Sequence, residues 1–380
     1  MRVVLAPDSF KGTMTSLQAA RAMEEGIRAV DSDADIRLCP VADGGEGTGE
    51  ALVFHCGGSK RRGRTLDALG RTIDAYWYEL DDEKTAVIEV ASCAGLPLLE
   101  LEERNPLVTS TKGLGILIND ALQQGFQTIM VGLGGSATND GGTGMARALG
   151  FRFLDAEGVE LEEGGEALTR LARIDATNVC TELEKTEIIG LVDVEAPLYG
   201  PHGATQVYAR QKGASEADVR NLERAIRRLA EICARDLHMS GFDAPGAGAA
   251  GGTGFGVLVF LGGRLAPGIA EILERIGFKK RAQWADVIIT GEGSIDAQTL
   301  QGKTVQGVVE EAQELGRDVF AVCGQVRDRE EVQRLLPLDH IFSAGNPGSD
   351  PVARLRERMS QVWPEILEHL KQNLTTQCYT

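Results

Sequence analysis

Short apolar runs alternate with stretches of helical period at both ends of the chain, and a different rhythm fills the middle. Residues 3–6 (VVLA) are continuous and apolar enough for a buried strand. The spacing of Leu17, Ala20, Met23 and Ile27 predicts a helix over 16–30, with Ser16 as its N-cap. A strand over 36–41 and a helix over 47–54 repeat the unit. After the middle, strand signals return at 286–290, 319–322 and 340–343, with helices expected from 304, over 330–336 and over 354–370. Two such units in front and three behind predict one five-stranded parallel sheet built from both termini.

The middle reads differently. Residues 64–69, 72–80 and 85–91 look like an antiparallel meander; a helix over 111–124 and strands over 128–133 and 187–194 follow. A polar helix over 215–238 and an apolar one over 255–261 close the region. The expected organisation is α/β: a doubly wound domain of residues 1–61 plus 276–380, interrupted by an inserted mixed α/β domain of residues 62–275.

Composition narrows the function. A chain of 380 residues with 43% hydrophobic and 25% charged residues has enough apolar material for two cores and is not disordered. Its formal net charge of -17 argues against nucleic acid and anionic membrane surfaces as partners. An anionic substrate would need local cations or a metal. Seven cysteines without a C-x-x-C pair read as reduced thiols of a cytoplasmic protein. No signal peptide is evident, and no apolar run approaches the ~18 residues of a membrane span.

The polar residues concentrate where an open parallel sheet binds its ligands, beyond the carboxyl ends of the strands. The first strand ends in Asp8-Ser9-Phe10-Lys11-Gly12, the second in Asp43-Gly44-Gly45-Glu46-Gly47-Thr48, and the third in Gly291-Glu292-Gly293-Ser294-Ile295-Asp296. Any one of these suits a turn with a helix cap. Three acidic turns on one edge repel one another unless a divalent cation or a shared proton compensates, which favours a functional edge. In the inserted region, GGSATNDGG (134–142) offers backbone N–H groups between a strand and a helix, the parts of an anion seat. Asp193, at the end of an apolar strand, is a candidate base, metal ligand or turn cap.

Two tempting motifs fail. Residues 246–251 match G-x-G-x-x-G, but no strand precedes them, which leaves close packing or a phosphate cover loop. Gly302-Lys303-Thr304 resembles the tail of a P-loop, yet Ala297 stands where its first glycine belongs. Lys303 is left as a candidate phosphate contact or a surface lysine at a helix start. Carboxylates for a metal, glycine-rich anion seats and a few lysines together suit phosphoryl transfer.

APDSFKGTMTS, VADGGEGT, GLGGSATNDGGTGMARALG, PGAGAAGGTGFG and TGEGSIDAQTLQGK, with ERNPLVTSTKGLG and YGPHGATQVYARQKGA, resemble the bacterial glycerate kinases of the class without a P-loop. The likeness runs over nearly the whole chain and departs from the family's usual residues at Val192, Ala196 and Ser294. It implies a flavodoxin-like domain interrupted by a second α/β domain, and a cytoplasmic kinase that uses ATP and Mg2+. The expected reaction makes 2-phospho-D-glycerate from D-glycerate in a cleft between two domains. The alternatives are a 3-phosphoglycerate-forming enzyme, a kinase of a related small hydroxy acid, and a non-catalytic sensor of small acids.

On that reading Lys11 and the backbone of 9–12, with Ser9 and Gly12, neutralise an anionic group, and Asp8 or Asp193 takes the hydroxyl proton. Asp43, Glu46, Glu292 and Asp296 hold magnesium. Gly134, Gly135, Ser136, Asn139 and Asp140 seat phosphate or substrate. The partners are small molecules, with homo-oligomerisation left open.

Overall fold

The computed structural model of the protein describes residues 1–82, 84–296, 304–336, 338, 340–345 and 350–377. The chain divides into two compact units, Met1–Asp43 with Ile269–Thr380, and Gly44–Gly268. The second unit starts ahead of residue 62 because the helix Thr48–Cys56 packs on the strands Gly58–Leu66, Thr72–Leu80 and Thr85–Glu89.

The first unit carries a five-stranded sheet in the order His340–Ser343, Asp318–Cys323, Val287–Gly291, Arg2–Pro7, Asp35–Leu38, with every pairing parallel. Counted along the chain this is 2-1-3-4-5, the flavodoxin-like order. The three inner strands are almost wholly buried, as their unbroken apolar runs require. Strand Asp35–Leu38 is a short edge whose side chains stay partly or fully exposed. Helices Ser16–Arg28 and Pro351–Gln377 cover one face, packing Met23 and Ile27 with Met359, Trp363 and Ile366 over Val3, Leu5, Val287 and Ile289. Such side chains stabilise by about 1.5–3 kcal/mol each when fully buried. Trp363 closes the contact through its indole N–H, which donates to Asp31 Oδ2 at 3.0 Å. The N-cap of the first helix is Thr15, not Ser16: Thr15 Oγ1 accepts from Gln18 N, and Gln18 Oε1 accepts from Thr15 N. This reciprocal capping box leaves Ser16 as the first helical residue, buried.

The second unit holds a six-stranded sheet in the order Arg264–Pro267, Glu187–Val192, Thr128–Gly132, Thr85–Glu89, Thr72–Leu80, Gly58–Leu66. The last three strands are antiparallel, and Thr85–Glu89 turns parallel to Thr128–Gly132. The meander's first strand therefore begins at Gly58, six residues before the sequence suggests (64 − 58). The short helices Gly268–Arg275 and Phe278–Trp284 carry no long apolar period to announce them. Cys39, Cys93, Cys233 and Cys323 are buried, and none of the six described cysteines is in a disulfide. Among the described residues no helix is long and apolar enough to cross a membrane.

Candidate active site

The ends of the first unit's strands are built from glycine turns pressed against one another. Gly324 N donates to Glu292 O at 3.0 Å, and Gln325 N to Gly293 O at 2.9 Å. A Cβ on Gly293 would lie 3.2 Å from the Cα of Phe10. Three turns are thus locked side by side at the point where the strand order reverses, between Arg2–Pro7 and Val287–Gly291. They floor a cavity of about 370 Å3, within the range of a small-molecule site. Phe10, Met14 and Leu355 give it an apolar wall, and Lys11, Arg327 and Arg354 bring three cations to it. Arg354 is oriented by its Nε, which donates to Ala344 O at 2.7 Å. Ser9, Glu292 and Ser294 line the same space.

Beside the cavity Asp8 is 4% exposed. Its Oδ1 accepts from Ser9 N and its Oδ2 from Thr304 Oγ1, both at 2.6 Å. Burial raises its pKa first and the charge of Asp43 second; the Thr304 and Ser9 bonds and Lys11 oppose them. Asp43, also 4% exposed, lies 3.9 Å from the ammonium of the exposed Lys11. Asp8, Ser9, Lys11 and Asp43 therefore come together on one edge. Gly12 sits at the open tip of the same turn with φ at +76°. Asp296 is half-buried, and Lys303 lies outside the described residues. No three acid, histidine or cysteine side chains gather as a metal site among the described residues, so the four expected magnesium ligands do not form one cluster there.

In the second unit Glu46 is exposed, and the acid at the start of its first helix is one the sequence does not announce. Glu89, at the end of strand Thr85–Glu89, is 7% exposed; it accepts from Gly49 N at 2.8 Å and Gly47 N at 3.3 Å. It fills the N-terminus of helix Thr48–Cys56, and burial raises its pKa. Asp193 is half-buried past the end of strand Glu187–Val192 and helps raise the phenol pKa of Tyr208, after burial.

Turn 134–142 is held from inside. Asp140 is fully buried: Oδ2 accepts from Thr111 N, Thr111 Oγ1 and Gly144 N, and Oδ1 accepts from Gly142 N. Burial raises its pKa and these four bonds oppose the rise. Asn139, equally buried, donates to Thr205 Oγ1 at 3.1 Å. Asn139 and Asp140 thus hold the turn, while Gly135 is exposed and Ser136 lies just beneath it at 4%. Behind Ser136 stands Lys212, 2% exposed, whose Nζ donates to Ser136 Oγ at 2.9 Å and Thr138 O at 2.7 Å. Burial pushes its pKa down to about 7 against the charge of Asp140. The glycines of 246–251 serve close packing: a Cβ on Gly251 would strike Thr138 O, and one on Gly246 would lie 2.9 Å from Val192.

A cavity sized for a small molecule and lined by three cations, beside buried acids on a doubly wound sheet, is the equipment of an enzyme acting on small anionic molecules. The glycerate kinase family profile matches residues 3–376, and the chain belongs to that family. It is a kinase, with small-molecule substrates and ATP as the phosphate donor the family implies. A glycerate kinase of Halalkalibacterium halodurans is 42% identical over 365 residues, 93% of this chain and 96% of that protein. The glycerate 2-kinase of Escherichia coli K12 is 40% identical over 90% of each chain. A solved structure of a glycerate kinase 2 from Salmonella typhimurium LT2 superposes with a TM-score of 0.86 at 36% identity, covering 98% of this chain and 99% of that one. The kinase family displaces the reading as a non-catalytic sensor.

Proposed function

We propose that the enzyme transfers the terminal phosphoryl group of ATP to the 2-hydroxyl of D-glycerate, with the nucleotide held in the first unit's cavity. The observation that carries the reading is that cavity: an apolar wall of Phe10, Met14 and Leu355 facing Lys11, Arg327 and Arg354, in a chain of net charge -17. An adenine ring needs the first surface and a polyphosphate needs the second. The likeness to a glycerate 2-kinase supports D-glycerate and its 2-hydroxyl as acceptor.

The residues take these parts. Lys11 neutralises charge on the moving group, with Arg327 and Arg354 holding the rest of the polyphosphate. Asp8 accepts the hydroxyl proton; its raised pKa suits a base working near neutral pH. Two buried acids acting on one another, Asp8 and Asp43, fit a divalent cation arriving with the nucleotide. Magnesium binds through one or two carboxylates plus phosphates and water, so Asp43 would hold it, with Glu292 and Asp296 through water. The ion, when bound, offsets charge on the phosphates.

ADP release on mixing the protein with magnesium, ATP and D-glycerate tests the reaction: release that requires the acid is expected, and release indifferent to it overturns the reading. Arg354→Met is expected to raise KM for ATP by about 10–100-fold, the loss of one charged hydrogen-bonding partner, while KM for D-glycerate stays unchanged. Equal effects on both KM values would remove the nucleotide from this cavity.

A further inference from the structure

Lys212 is a lysine the fold has gone to some trouble to bury. It sits in the 3-10 turn Arg210–Lys212, and its Nζ meets two oxygens, Ser136 Oγ and Thr138 O. Neither is a carboxylate. Asp140 is the charged group that acts on the ammonium, and its oxygens are already taken by Thr111, Gly142 and Gly144. Arg210, on the same turn, pairs with Glu216 and the carbonyl of Gln206, and Arg104 approaches Gly213 through its backbone. A buried cation with so little direct compensation is costly, and it gains when an anion comes near. Ser136 accepts from Lys212 and follows the exposed Gly135 in the chain. Two residues further along the turn, Thr138 Oγ1 is buried without a hydrogen-bond partner. With Lys212 donating to Ser136 Oγ, the serine's own O–H is turned to another acceptor.

We propose that turn 134–142 seats a small oxyanion, carboxylate or phosphoryl, on the Ser136 hydroxyl, and that Lys212 is the positioning residue behind it, whose protonation is coupled to binding. This deepens the kinase reading, since it names what that turn recognises, and it rests on that reading only for the identity of the anion. In the unliganded protein burial pushes the Lys212 pKa down to about 7. An anion on Ser136 favours the ammonium, so the bound protein holds more protons than the free one. Affinity is then constant below about pH 7, falls by up to about tenfold per pH unit above it, and levels off once the bound form also loses its proton.

The test is calorimetric titration of the full chain at pH 7.5 in two buffers of different ionisation enthalpy, with D-glycerate, magnesium-ADP and inorganic phosphate as separate probes. Fractional proton uptake with at least one probe is expected, and Lys212→Met should abolish it. Uptake with D-glycerate assigns the carboxylate as ligand; uptake with the other probes assigns a phosphoryl group. Uptake with phosphate in a protein that ignores D-glycerate would leave this proposal standing and sink the kinase reading. D-glycerate that binds and is phosphorylated while no probe brings proton uptake would do the opposite. The wild type alone supplies a second reading: one 13C-labelled lysine side chain titrating near pH 7 should shift upward at saturating probe. A lysine set that titrates identically with and without every probe overturns the proposal.

Discussion

Asp8→Asn is expected to lower kcat by about 10²- to 10⁴-fold, the usual worth of a positioned general base. The same variant should melt at or above the wild-type temperature. The asparagine oxygen can still accept from Ser9 N, and the Thr304 hydroxyl can rotate to accept from its amide. What disappears is a buried charge that burial and Asp43 both disfavour. Removing a like-charge repulsion from a catalytic edge trades activity for stability. Thermal melting and ADP release on one preparation read both sides. A kcat within about threefold of wild type, far less than a base contributes, would move the proton transfer elsewhere, with Asp193 the next residue to test.

The second large effect belongs to Gly251→Ala. Gly251 has φ at +65°, between Ala250 at +53° and Gly252 at +90°, and its carbonyl accepts from Gly141 N at 3.0 Å. An added Cβ would collide with Thr138 O and come within 2.7 Å of Asn139 Cα, both backbone atoms that cannot swing aside. A left-handed backbone costs a residue with a Cβ about 1–2 kcal/mol, and overpacking about 1–3 kcal/mol more. The expected loss of stability is therefore about 2–5 kcal/mol, measured by denaturant unfolding. Gly12→Ala is the control. Its φ is +76°, but a Cβ there meets nothing within 4 Å, so only the backbone cost of about 1–2 kcal/mol should appear. Equal losses at the two positions would mean that packing on turn 134–142 is not what Gly251 provides.

The contrast between those glycines shows what a sequence reveals and what it withholds. The parallel sheet of the first unit was readable because buried parallel strands leave uninterrupted apolar runs, and its acidic turns were readable because they follow those runs. Asp8, Ser9, Lys11 and Asp43 were all in view, since they sit in the turns that follow the first two strands. Arg327 and Arg354 were not: they reach the cavity from turns and helices whose direction no local pattern specifies. Lys212 was hidden for the same reason. In RQKGA it looks like one more solvated cation, and its partner Ser136 is 76 residues away. The one local hint was Gly213 after it, which takes φ at +100° and ends the turn. Glu89 had a fainter signal still, a single acid at the end of an apolar strand. The acids of 43–46 looked like one group, yet Asp43 and Glu46 belong to different compact units.

Proton-coupled 31P NMR of the mixture formed from D-glycerate, ATP and magnesium bears most directly on the account. Transfer to the 2-hydroxyl makes a phosphomonoester whose phosphorus couples to a single proton, so a new doublet should grow in step with the signals of ADP. A triplet would place the phosphate on the 3-hydroxyl and contradict the proposed regiochemistry. No new monoester, with ATP left intact or lost to inorganic phosphate, would contradict the phosphorylation of D-glycerate itself.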